Sequence, residues 1–240
     1  MRRISVVFAF AALNAGPLGA DQSREIYLGN QHRAGQYAYH GEAPSEVEIS
    51  MYGRQSPAPC EGPHAQQAVE VALSSHWKWV VRLQTNGAAD KSTRRAFDDA
   101  WQALRYLVED LNCKDPLIGY RYGNSIHMQR NYERSVVELG KVVAGIEAHY
   151  PQMLPIAQSQ YAEALGVTGH LDEAIQQHRQ VLKRIPDSVS AALNLANRLS
   201  QRLDPGDAEE ARELLAKVRS LGVSDYGQNV IDEIENRLGR

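Results

Sequence analysis

The chain is sparing with residues that announce chemistry. Its 240 residues hold only two cysteines, and Cys60 with His64 supplies at most half of a metal site. Lys and Arg are nowhere massed in a block or interleaved with aromatics, which removes the electrostatic footprint of a nucleic-acid binder or of a protein drawn to an anionic membrane. Eight histidines are scattered, and none forms the His-Glu-x-x-His helix pattern of a zinc protease. A Gly-x-Ser-x-Gly elbow, a phosphate-cradling glycine loop and a dinucleotide fingerprint are all missing. No cofactor, metal or catalytic residue is therefore expected. The residual enzymatic reading sets Cys113 beside His127 as nucleophile and base, and two cysteines in an exported chain are more often paired or inert.

Long apolar runs are also absent, with one exception. Arg2 and Arg3 precede ISVVFAFAAL, after which Asn14, Gly16, Pro17 and Gly19 lead to Ala20, the layout of a secretory signal peptide over residues 1–20. A ten-residue run is too short to span a bilayer, so no stable membrane insertion is expected once the signal is removed, and the chain should reside in the periplasm or outside the cell. Removal takes away two Arg and no acid. The mature chain then has 24 basic against 29 acidic residues, and the net charge moves from −3 to −5.

What the sequence does have is periodicity. Four amphipathic segments carry a small residue at the same point of their apolar pattern, Ala100, Ser135, Ala174 and Ala211, spaced by 35, 39 and 37 residues. Self-similarity at this period marks helical hairpins that cannot bury their apolar faces alone and stack on their neighbours. The best-formed unit spans residues 155–188. In its first stretch Tyr161, Ala162 and Leu165 share a face, and in its second Leu171, Ala174, His178 and Val181 do. Gly169 ends the first helix and Pro186 the second.

This unit resembles a tetratricopeptide repeat, whose pattern is Trp-x2-Leu-Gly-x2-Tyr, then Ala-x3-Phe, then Pro over 34 residues. Tyr161, Ala162 and Leu165 fall at the Leu, Gly and Tyr positions, and Ala174 and Pro186 at the Ala and Pro positions. Gln158 and His178 depart from the pattern, standing where large apolar or aromatic residues are usual. The template also fits residues 116–154, through Tyr122, Gly123 and Ile126 and then Tyr132, Ser135, Leu139 and Val142. It fits residues 189–222 through Leu195, Ala196 and Leu199 and then Ala208, Ala211, Leu215 and Val218. Residues 93–115 supply a lone second helix, with Phe97, Ala100, Leu104 and Leu107 in phase and no alignable first helix. A capping helix is expected over residues 225–239, carrying Ile231, Ile234 and Leu238.

The resemblance implies an all-α protein, a right-handed α-solenoid of tetratricopeptide-like hairpins over residues 63–240, preceded by an irregular arm over residues 21–62. Within that arm EVEISMYG alternates like a short strand. Residues 63–85 turn helical, with Val69, Val71, Ala72, Trp77, Trp79, Val80 and Leu83 on a wide apolar face; the two tryptophans invite a carbohydrate or ligand reading, but core or capping of the first repeat is the commoner role for large apolar residues at helical spacing. The family's members bind along the face made by the first helix of each pair. That implies a protein- or peptide-binding scaffold whose offered residues are Tyr120, Asn124, His127, Ser159, Glu163, Leu193 and Asn197. A small envelope enzyme, or an accessory subunit of one, is the alternative.

Cys60 precedes the first long helix and Cys113 follows the next one, so a disulfide between them would fasten the N-terminal region to the repeats. Two buried free thiols are the other reading.

Overall fold

A computed structural model describes residues 44–86, 88, 90–223 and 225–239. The expected signal peptide and residues 21–43 of the expected arm lie outside them. Among the described residues the chain is all-α, with ten helices and no strand. They fall into two compact units, 44–157 and 158–239.

The N-terminal unit holds α1 (Pro44–Gln55), α2 (Ala65–Asn86), α3 (Lys91–Arg105), α4 (Pro116–Met128) and α5 (Tyr132–His149). Asp90 caps α3 by accepting from the Thr93 amide at 2.9 Å. A bond from the Ser92 hydroxyl, with that amide bond second, holds its carboxyl down at about 2. Asp115 caps α4 through the Leu117 and Ile118 amides, with Pro116 at the first helical position. Its second oxygen accepts from the Tyr150 hydroxyl at 2.7 Å, which ties the start of α4 to the end of α5. The main pairings are α2 with α3 and α4 with α5. The lone second helix of the sequence therefore has a partner after all: α2 supplies it, with a pattern too remote from the template to align. Trp79 meets Phe97 edge-on across this pair at 5.2 Å, and Trp77 and Trp79 are buried, as core residues should be. Val71, expected on the apolar face of α2, is exposed.

The expected arm and strand are corrected over residues 44–55. Glu48, Met51 and Tyr52 recur at helical spacing and all three are buried, so alternation loses to a face three and four residues apart. Helix α1 packs on α2, and the following segment is held by the disulfide Cys60–Cys113. Tyr52 adds a second tie by accepting the Cys60 amide hydrogen.

The small residues do what the periodicity implies. Ser135 on α5 faces Gly123 on α4 closely enough for its hydroxyl to reach the Gly123 carbonyl at 3.0 Å. A methyl group added at Gly123 would lie 2.9 Å from the Leu139 side chain. Ala100, Ala174 and Ala211 are likewise buried.

The C-terminal unit contains the body of α6 (Leu154–Val167), then α7 (Leu171–Arg184), α8 (Val189–Arg202), α9 (Asp207–Leu221) and α10 (Asp225–Leu238). Gly169 takes φ +85°, a backbone that side chains resist, where α6 turns into α7. Ser188 caps α8 through the Ala191 amide. Helix α8 packs against α7, α9 and α10, and its Leu195, Ala196 and Leu199 join Ala211, Leu215, Val218, Ile231 and Ile234 in one apolar core. No described helix is long and apolar enough to cross a membrane.

Candidate functional site

In the C-terminal unit, α8 is buried along almost its whole length although it is not apolar all round. Its apolar residues face α7, α9 and α10, whereas Asn194, Asn197, Arg198 and Gln201 recur at i, i+3, i+4 and i+7 on a second, polar side. Helix α6 contributes Gln160 and Glu163, one turn apart. The two helices are bridged by Arg198, whose Nη2 donates to Glu163 Oε2 at 2.9 Å and whose Nη1 donates to Gln201 Oε1 at 3.0 Å. Both members of this ion pair are buried, and His178 of α7 stands 3.3 Å from the other Glu163 oxygen.

From the last helix, Arg237 reaches Asn197 Oδ1 at 2.9 Å and the Ser200 hydroxyl at 2.6 Å. Burial lowers the Arg237 guanidinium from its ordinary value; Glu233 opposes that shift and Arg198 adds to it.

The polar atoms of this cluster that are buried with no hydrogen-bond partner include Gln160 Oε1, Asn194 Nδ2, Arg198 Nε and His178 Nδ1. Gln160 is 4% exposed and Asn194 3%. Each buried unpaired polar group costs about 1 to 3 kcal/mol, so an unpaired acceptor on α6 and an unpaired donor on α8 have a physical use for a ligand that supplies the missing bonds.

The N-terminal unit carries a related cluster on α4. The Arg121 guanidinium lies over the Tyr120 ring at 5.0 Å and the Trp77 ring at 5.7 Å. It forms a two-point ion pair with Glu48 of α1 and meets His76 Nε2 at 2.9 Å. Burial, assisted by the Arg121 charge, holds His76 well below its ordinary value and so neutral. Burial also pushes the Tyr120 hydroxyl up to about 12. Asn124 Oδ1 is a further buried acceptor without a partner.

All seven residues expected to line an open binding face are buried. Tyr120, Asn124 and His127 lie on α4, and His127 packs edge-on against Tyr132 at 5.0 Å. Ser159 and Glu163 lie on α6, and Leu193 and Asn197 on α8. The expectation of an exposed stripe is therefore corrected. Leu193 belongs to the apolar core, Glu163 is bound by Arg198, and Asn197 is held by Arg237. Of the seven, Glu163 and Asn197 enter the cluster of the C-terminal unit. Sequence reasoning missed Gln160, Arg198 and Arg237 there, and Glu48 with Arg121 in the N-terminal unit. The polar repeat Asn194–Asn197–Arg198–Gln201 was the one signal available for α8. Cys113 is in a disulfide, so the nucleophile pairing with His127 is withdrawn. Among the described residues no group of His, Cys, Asp and Glu is placed to hold a metal ion.

No family model matches the chain, and neither a curated protein nor a solved structure matches it.

Proposed function

We propose that this chain is an exported binder of extended polypeptide, resident in the periplasm or outside the cell, built from tetratricopeptide-like hairpins and without catalytic activity. The observation that carries the reading is Gln160 Oε1 and Asn194 Nδ2, an acceptor one turn from Glu163 on α6 and a donor one turn from Arg198 on α8, both buried without partners on the two helices that the Arg198–Glu163 ion pair bridges. An extended backbone presents N–H and C=O groups that match this pair in both senses. A small apolar ligand would leave both unsatisfied. The disulfide supports export, because such bonds persist in oxidising compartments.

Selection of peptides from a random library against the full chain, followed by calorimetry of the strongest binder, tests the reading. Asn194→Leu and Gln160→Leu should each weaken that peptide about tenfold, the ratio for about 1.4 kcal/mol. Affinities unchanged in both variants, or a library that yields no binder, would count against it.

A further inference from the structure

We propose that α1 is a releasable ligand in cis, docked on the N-terminal unit through Glu48, and that a polypeptide segment of the same chemistry displaces it. The inference is independent of the peptide site in the C-terminal unit.

The receiving site is built from two helices whose main pairings are with other elements, α2 with α3 and α4 with α5. Helix α2 gives His76 and Trp77, and α4 gives Tyr120 and Arg121. The Arg121 fork is oriented by two rings and by the neutral His76, which accepts from Nη1 while Nε and Nη2 point at Glu48. Glu48 is 1% exposed and Arg121 3%, although 73 residues separate them in sequence. A carboxylate delivered from a distant segment into a socket of this kind is recognition chemistry. A buried ion pair is by itself weak evidence for stability, because desolvation offsets much of the Coulombic gain.

Helix α1 is itself poorly equipped to persist alone. It has 12 residues, among them β-branched Val47 and Ile49, Ser45, Ser50 and Gly53. A helix this short and of this composition is marginal in water, so its order depends on docking. Glu48, Met51 and Tyr52 form its buried stripe, and Gln152 adds a contact to the Met51 sulfur at its C-terminal half. Just beyond, Cys60 is fixed to Cys113. A released α1 therefore stays tethered near its socket at high effective concentration, and rebinds unless a competitor is present. The competitor is defined by the plug: a Glu followed three and four residues later by an apolar residue and an aromatic one.

The test uses the full oxidised chain with a protease site placed between Ser56 and Cys60. Cutting detaches α1 covalently while the disulfide remains. A fluorescent peptide PSEVEISMYGRQ should bind the cut chain at least tenfold more tightly than the uncut chain. The same peptide carrying Glu48→Gln should bind the cut chain at least tenfold more weakly than the parent. Equal binding to cut and uncut chains, indifference to Glu48→Gln, or no binding to the cut chain overturns the proposal. Hydrogen exchange on the uncut chain gives an arm that survives misfolding of the cut one. The α1 amides should exchange at least tenfold faster than those of α2 and α4, and exchange in step with α2 and α4 contradicts release.

Discussion

Gly166 lies directly against Arg198: a methyl group added at Gly166 would sit 2.2 Å from Arg198 Nε and 2.5 Å from its Cζ. The missing side chain on α6 is what lets the guanidinium cross that helix and reach Glu163. Gly166→Ala is favoured by helix propensity by about 1 kcal/mol. It must nonetheless push Arg198 aside and strip a buried carboxylate of its partner, a loss of about 3 to 5 kcal/mol. The net expectation is destabilisation by about 2 to 4 kcal/mol, read from the urea midpoint. An unchanged or raised midpoint would show that Arg198 is free to move.

The helix crossings at small residues make a second prediction. Ala174 is fully buried on α7, and Ala174→Leu should cost about 1 to 3 kcal/mol by overpacking. Ser135→Ala should cost about 1 kcal/mol, the worth of one hydrogen bond to the Gly123 carbonyl. If both variants unfold at the wild-type urea concentration, the crossings are loose and the packing argument fails.

These crossings were also what the sequence disclosed best. A small residue every 35 to 39 positions, together with Gly169, Pro186 and the apolar spacing, was enough to place the paired helices from α4 onward, because each signal is local and backed by burial. Helix α1 was hidden because its propensity is poor and its anchor, Arg121, is 73 residues away. The candidate site was only half legible. The polar side of α4 and α8 could be read, but not that it is enclosed, since enclosure depends on residues such as Arg237 arriving from 40 positions along the chain.

The disulfide closes a span of 53 residues, for which chain entropy gives about 4 kcal/mol. A Cys60→Ser, Cys113→Ser double variant should lose a comparable amount relative to the oxidised protein in urea. Matching midpoints would mean that the tie between the α1 segment and α4 contributes nothing to global stability.

His76 sets a pH dependence. The unfolded chain takes up a proton there near the ordinary value of 6.5, whereas the folded chain does so only well below it. The unfolded state therefore binds more protons as the pH falls, and stability declines from about pH 6.5 downward by at most about 1.4 kcal/mol per unit. The carboxylates of Asp207, beside Arg202, and Glu109, beside Tyr122 and Arg134, are held below their ordinary values, so their contribution is lost only at lower pH. His76→Gln keeps an acceptor for Arg121 and should flatten the decline between pH 7 and 5. Parallel stability profiles for variant and wild type would assign the decline elsewhere.

The most direct measurement of the peptide-binding account is a double-mutant cycle between the buried amides and the backbone of a selected peptide. Gln160→Ala is combined with N-methylation of each peptide amide in turn, and affinities are taken by calorimetry. One methylated position should couple to Gln160 by about 1 kcal/mol or more, the signature of a hydrogen bond from that N–H to the Gln160 oxygen. Strict additivity at every position would contradict backbone recognition by this face.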